Sequence, residues 1–120
     1  MKLPISKAYA LPAVLLFSAF VTQQALASTV SDVTVMEIAI DPAYANVVFI
    51  RISPAPTGQP SCQTSGYWNY VLNFANSLAS QQYAALLAAE MSGKTVSITG
   101  TGTCADYPDV ESLRGLNVQN

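Results

Sequence analysis

Asp106, Asp109 and Glu111 place three carboxylates within a six-residue stretch, and Glu37 and Asp41 form a second acidic pair. Paired carboxylates can carry acid–base work on glycosidic bonds, and clustered oxygen ligands can hold calcium. Positions 106, 109 and 111 lack a full calcium-loop pattern, and loop acids ordinarily serve as solvated surface charge. The chain contains no histidine. A Ser-His-Asp triad and a Cys-His pair are therefore excluded. Lys94 could in principle pair with a serine, but it follows a helix end and carries no special signal. The expectation is a protein without catalytic residues, cofactor or metal.

Residues 92–104 read SGKTVSITGTGTC, and Gly93-Lys94-Thr95 has the form of the tail of a phosphate loop. The full pattern needs glycine five positions before Gly93, and Ala88 stands there. The loop must also enter a helix, whose amino end faces the anion. Here a helix comes first and a strand follows, so no nucleotide site is expected.

Cys62 and Cys104 are the only cysteines. A thiolate metal site wants four soft ligands, and a redox pair is usually C-x-x-C. Two cysteines in a small exported chain read instead as a structural disulfide. Aromatic faces are the remaining chemistry: Tyr44, Tyr67, Trp68, Tyr70 and Tyr107 could stack on sugar rings or bases. Trp68 and Tyr70 are expected in the core beneath a helix. Tyr44 and Tyr107 fall in loops and are the better ligand-binding candidates.

The beginning of the chain points to export. Lys2 and Lys7 precede an apolar run at 8–21, and Ala25-Leu26-Ala27 follows with small residues at both recognition positions. This is the order of a cleaved signal peptide, residues 1–27, leaving Ser28 first. The run of about 14 residues is shorter than the roughly 20 a membrane span requires. No stable membrane anchor is expected, and the destination is the periplasm or the exterior of a Gram-negative bacterium. Removal of 27 residues from 120 leaves 93, with Arg51, Lys94 and Arg114 against seven acids, a net charge of −4. That balance argues against nucleic acid and against anionic lipid as partners.

The elements that must position these residues are five strands and one helix in a single domain, residues 28–120. Strands are expected at 33–40, 47–52, 67–74, 94–100 and 111–118. Alternation in the third puts Trp68, Tyr70, Leu72 and Phe74 on one face. Strand 47–52 is apolar on both faces except at Arg51, which is expected to snorkel or pair with an acid. The helix spans 80–92, with Ser80 as N-cap, an apolar stripe of Tyr83, Leu86, Leu87 and Met91, and Gly93 as a left-handed stop. Gly115 suggests a bulge in the last strand, because Leu113 and Leu116 lie on opposite parities. The order β-β-β-α-β-β is that of the five-stranded OB barrel. An open antiparallel sheet with one packed helix is the alternative.

Cys62 near a Trp strand, the Ala/Leu helix and the S-G-K-T-V-x-I-x-G-x-G-x-C run resemble a group of small, uncharacterised exported proteins of Gram-negative bacteria. The chain is more distantly similar to the B subunits of subtilase-cytotoxin and pertussis-like toxins. That likeness rests on Ser31 before strand one, Ile40-Asp41 at its end, Phe49 on strand two, and Gly93-x-x-Val96-x-Ile98 after the helix. It implies an OB fold, assembly into homo-oligomers and glycan binding, with Ser31 where those subunits carry a glycan-contacting serine. The functional expectation is an exported non-catalytic binding module with a glycan or protein partner. The alternative is a structural or envelope-interaction protein without a small ligand.

Overall fold

The computed structural model describes Pro4 and residues 26–120. Apart from Pro4, Leu26 and Ala27, the expected signal peptide lies outside the described residues. The elements are β1 (Thr29–Ile40), a 3-10 turn (Pro42–Tyr44), β2 (Val47–Ser53), β3 (Tyr70–Asn73), α1 (Ala79–Ser92), β4 (Thr95–Gly100) and β5 (Leu113–Val118). All four strand pairings are antiparallel, in the order β3-β2-β1-β4-β5. Among the described residues the protein is mainly β with one helix, as expected. The five-stranded sheet is not closed into a barrel. Among the described residues its edges meet at an isolated parallel bridge between Val71 and Ser112, where the Val71 N–H donates to the Glu111 carbonyl at 3.0 Å. The open sheet with a packed helix is the arrangement found.

Val48, Ile50 and Ile52 of β2 join Tyr70, Leu72, Val96, Ile98, Leu86 and Ala89 in the main core between sheet and helix. Val47 and Phe49, on the opposite parity, meet Val71 and Val110 in a smaller cluster on the other face. Burial on both faces of β2 follows from its near-continuous apolar run. Arg51 interrupts that run and is paired: it faces Glu37 across β1 and β2, with Nη2 3.2 Å from Oε2. Its guanidinium also lies 4.8 Å from the Tyr67 ring centroid.

The helix buries a narrower stripe than expected. Ala79, Leu86 and Ala89 are buried and Tyr83 packs partly, while Met91 is 87% exposed. At about 100° per residue Met91 points roughly 140° away from Leu86, and so leaves the packed side. The N-cap is Leu78, two residues earlier than the expected Ser80, and no side chain caps it. Asn76 organises the entry instead, its Oδ1 accepting from the Leu78 N–H at 3.0 Å. Gly93 stops the helix at φ 68°, ψ 15°, the left-handed conformation that glycine adopts without strain. In β5 the pairing slips between Thr99↔Gly115 and Gly100↔Leu113, bulging out Arg114. That bulge lets Leu113, Leu116 and Val118 all reach the same core.

β3 is shorter than its alternation suggests, and Asn69 is the reason. The Asn69 Oδ1 accepts from the Ile52 N–H at 2.8 Å, standing in for the strand carbonyl that would continue the ladder. Pairing therefore begins at Ile50↔Tyr70. Tyr70 is buried in the main core as expected, but Trp68 is turned to the opposite face, half-buried beside the Phe49 cluster.

Candidate functional site

Two loops build the outer face around Trp68. The first, residues 54–69, is tied to the segment between β4 and β5 by a Cys62–Cys104 disulfide, with Cα atoms 6.0 Å apart. Gln63 reinforces the tie: its Oε1 accepts from the Glu111 N–H at 2.6 Å and its Nε2 donates to the Trp68 carbonyl at 2.8 Å. The Thr64 and Ser65 N–H groups both donate to the Asp109 carbonyl, at 3.1 and 3.0 Å. Asp109 holds φ 71°, a left-handed conformation that aspartate tolerates better than most residues.

Tyr44 reaches this face from the β1–β2 connection. Asp41 accepts from the Ala43 N–H at 2.9 Å through its side chain, fixing the 3-10 turn that carries Tyr44. Tyr44 and Tyr107 then meet edge to face at 5.8 Å, and both pack edge-on against Phe49, at 5.2 and 4.8 Å. Trp68 lies 5.5 Å from Phe49 on the other side. A cleft of about 200 Å³ opens among Ala39, Asp41, Tyr44, Phe49, Trp68 and Tyr107. A second, of about 240 Å³, shares Trp68 and Tyr107 and adds Ser65 and Asp109. Two aromatic side chains thus form a ridge between adjoining hollows with polar acceptors at their margins.

Of the three expected ligand-binding residues, the structure brings Tyr44 and Tyr107 together. Ser31 is exposed near the far end of β1, within the register shift between Val30 and Val33, and does not line either cleft. Trp68 was not distinguished from the core by its spacing, because the Asn69 amide that turns it outward leaves no periodic mark.

The three carboxylates near the C-terminus do not act together. Asp106 accepts from Asn73 Nδ2 at 2.9 Å, and Asp109 is exposed. Among the described residues no group of three or more potential ligands is placed to hold a metal ion. Glu111 corrects the expectation of a solvated acid: it is completely buried. Its Oε1 accepts from the backbone N–H groups of Ser28 and Gly102, both at 3.1 Å. Its Oε2 accepts from Ser28 Oγ at 2.6 Å and from Gln59 Nε2 at 3.4 Å. Ser28 Oγ shares a further 2.6 Å hydrogen bond with the Tyr70 hydroxyl. Since the serine proton is committed to Glu111, Tyr70 is the donor. Ser28, Tyr70 and Glu111 are at most 2% exposed, so this chain of hydroxyls and carboxylate is sealed from substrate.

Tyr70 gives this node a measurable signature. Burial pushes its phenol up to about 12; the Ser28 hydrogen bond opposes the rise and the Glu111 charge adds to it. The folded chain keeps a proton that the unfolded chain releases near pH 10. Its contribution is complete below pH 10 and is lost as pH rises toward 12. Urea midpoints should therefore fall more steeply between pH 9 and 11.5 in the native protein than in Tyr70→Phe. Parallel slopes would refute the assignment.

No protein-family model and no curated protein matches this chain. Among the described residues no helix is long and apolar enough to cross a membrane.

Proposed function

We propose that the protein is an exported, non-catalytic binding module whose ligand surface is the Trp68–Tyr107 ridge with its two hollows, and whose ligand is a glycan. The observation that carries this reading is the ridge itself. Two aromatic side chains stand between clefts bordered by Asp41, Ser65 and Asp109, the combination that receives the apolar face and the hydroxyls of a pyranose. The acids at the margins, together with a net charge of −4 for residues 28–120, favour neutral sugars over sialylated ones. The scaffold is the open sheet with its packed helix; its strand order, with β3 and β5 meeting at the Val71–Ser112 bridge, supports an OB-like connectivity without closure. The disulfide supports an oxidising compartment, periplasmic or extracellular.

Screening on a glycan array tests this directly. Native protein should bind neutral glycans, and Trp68→Ala should weaken that binding at least tenfold, about 1.4 kcal/mol, without altering the fold. Silence of the native protein across the array would sink the proposal.

A second reading, a protein-contact or envelope role without a small ligand, draws on a different surface. Ile40 and Phe74, 61% and 40% exposed, border an apolar groove with Val47, Val48 and Tyr83. Native mass spectrometry separates the cases: a homo-oligomer that binds glycans fits a toxin-B-like module, and one silent on every glycan fits the second reading.

A further inference from the structure

We propose that removal of the leader after Ala27 creates the counter-charge of Glu111: the new α-ammonium of Ser28 forms a buried ion pair with that carboxylate and locks the mature fold. The proposal rests on the reading of residues 1–27 as a cleaved signal peptide.

Glu111 presents a deficit that the described residues leave open. Its carboxylate is 0% exposed and its oxygens accept four hydrogen bonds, the arrangement of an ionised group. A buried carboxylate needs a cation as well as donors, since hydrogen bonds only partly replace its lost hydration. Residues 28–120 contain three cations. Arg51 is committed to Glu37 at 3.2 Å, Lys94 Nζ donates to Asn120 Oδ1 at 3.2 Å, and Arg114 is exposed on β5. None of them reaches Glu111.

The atom that would supply the charge is already in position. The Ser28 nitrogen lies 3.1 Å from Glu111 Oε1. Hydrolysis of the Ala27–Ser28 bond by a signal peptidase adds water across the C–N bond. Ala27 leaves with a carboxylate, and the Ser28 nitrogen departs as an amine that takes a proton. The neutral amide donor becomes an ammonium at the same place. The surroundings fit this change. Leu26 is 77% exposed and Ala27 is exposed, whereas Ser28 is 2% exposed, so the chain passes from solvent to interior at the scissile bond. The Ser28 carbonyl is held by the Gly100 N–H at 2.9 Å, and its hydroxyl by Glu111 and Tyr70. Gly100 completes the cradle, because a Cβ there would fall on the Glu111 carboxylate. A chain still carrying its leader lacks the pair and folds less stably; the mature chain gains it without rearrangement.

The full-length precursor is expressed with export and the purified product weighed. A mass beginning at Ser28 is expected; any other first residue overturns this inference together with the leader reading. Amine-reactive labelling under native conditions at pH 7 should then modify Lys94 and spare the α-amine, with both modified after denaturation. An α-amine that reacts as fast as Lys94 overturns the inference while leaving the leader reading intact. A chain extended by one residue, retaining Ala27, keeps the N–H donor but not the charge. Its Tm should fall by about 20 °C, the scale of a broken buried pair in a domain of this size. In Glu111→Gln the retained Ala27 should no longer lower the Tm, because the Ser28 ammonium then has no carboxylate to pair with. Equal Tm for the two lengths in the native background overturns the proposal. Should Glu111→Gln fail to fold, the labelling result decides alone.

Discussion

Replacing Cys62 and Cys104 by serine should destabilise the protein by about 4 kcal/mol and lower its Tm by roughly 20 °C. The bond joins residues 42 apart in sequence, and a loop of that length loses considerable entropy when closed in the unfolded chain. Against a typical domain stability of about 5–15 kcal/mol, this is a large share. The disulfide also pins the two loops that carry Trp68 and Tyr107. The variant should therefore lose the proposed glycan binding at temperatures where its sheet is still folded. Calorimetry gives the first quantity and array binding below the new Tm the second. A loss under about 1 kcal/mol would show that the Gln63 and Asp109 hydrogen bonds hold the loops unaided.

Gly100→Ala should be nearly as damaging, at about 3 kcal/mol. The added Cβ would collide with the Glu111 carboxylate, which is enclosed and fixed by four hydrogen bonds. An exposed carboxylate could swing aside at little cost; this one can move only by leaving Ser28, Gly102 and Gln59 unsatisfied. Removing the obstacle provides the control. Glu111→Ala alone is destabilising, but the Gly100→Ala/Glu111→Ala double variant should lose clearly less than the two single losses combined. Strict additivity in urea denaturation would show that the two sites do not touch energetically.

Local pattern disclosed the elements better than their partners. Val96 and Ile98, Gly93 at the helix end, the paired Arg51 and the bulge ahead of Gly115 all follow from side-chain parity or backbone freedom, properties of neighbouring residues. The cysteine pairing was readable because a chain with two cysteines leaves one intramolecular choice. Trp68 was misplaced because a side-chain amide replaced a backbone carbonyl, and alternation assumes an unbroken ladder. Met91 was misplaced because a helix stripe drifts with each turn, and Leu86 rather than Tyr83 sits at its centre. Glu111 was the least legible. A lone acid at the start of a strand resembles surface charge, and its four donors come from residues 28, 59 and 102, distant in sequence. The meeting of Tyr44 with Tyr107 was equally hidden, since each loop looks unremarkable alone.

Trp68 is the only tryptophan in the chain, and it stands on the ridge between the two hollows, 4.9 Å from Tyr67 and 5.5 Å from Phe49. Intrinsic fluorescence excited at the indole band therefore has a single origin. A sugar seated in either hollow would dehydrate that indole and shift its emission to the blue, without a label or a tag. Loosening the disulfide-bound loops would shift it to the red. The Asn69 amide that ends a strand early has, in effect, placed an optical probe at the surface proposed to take a ligand.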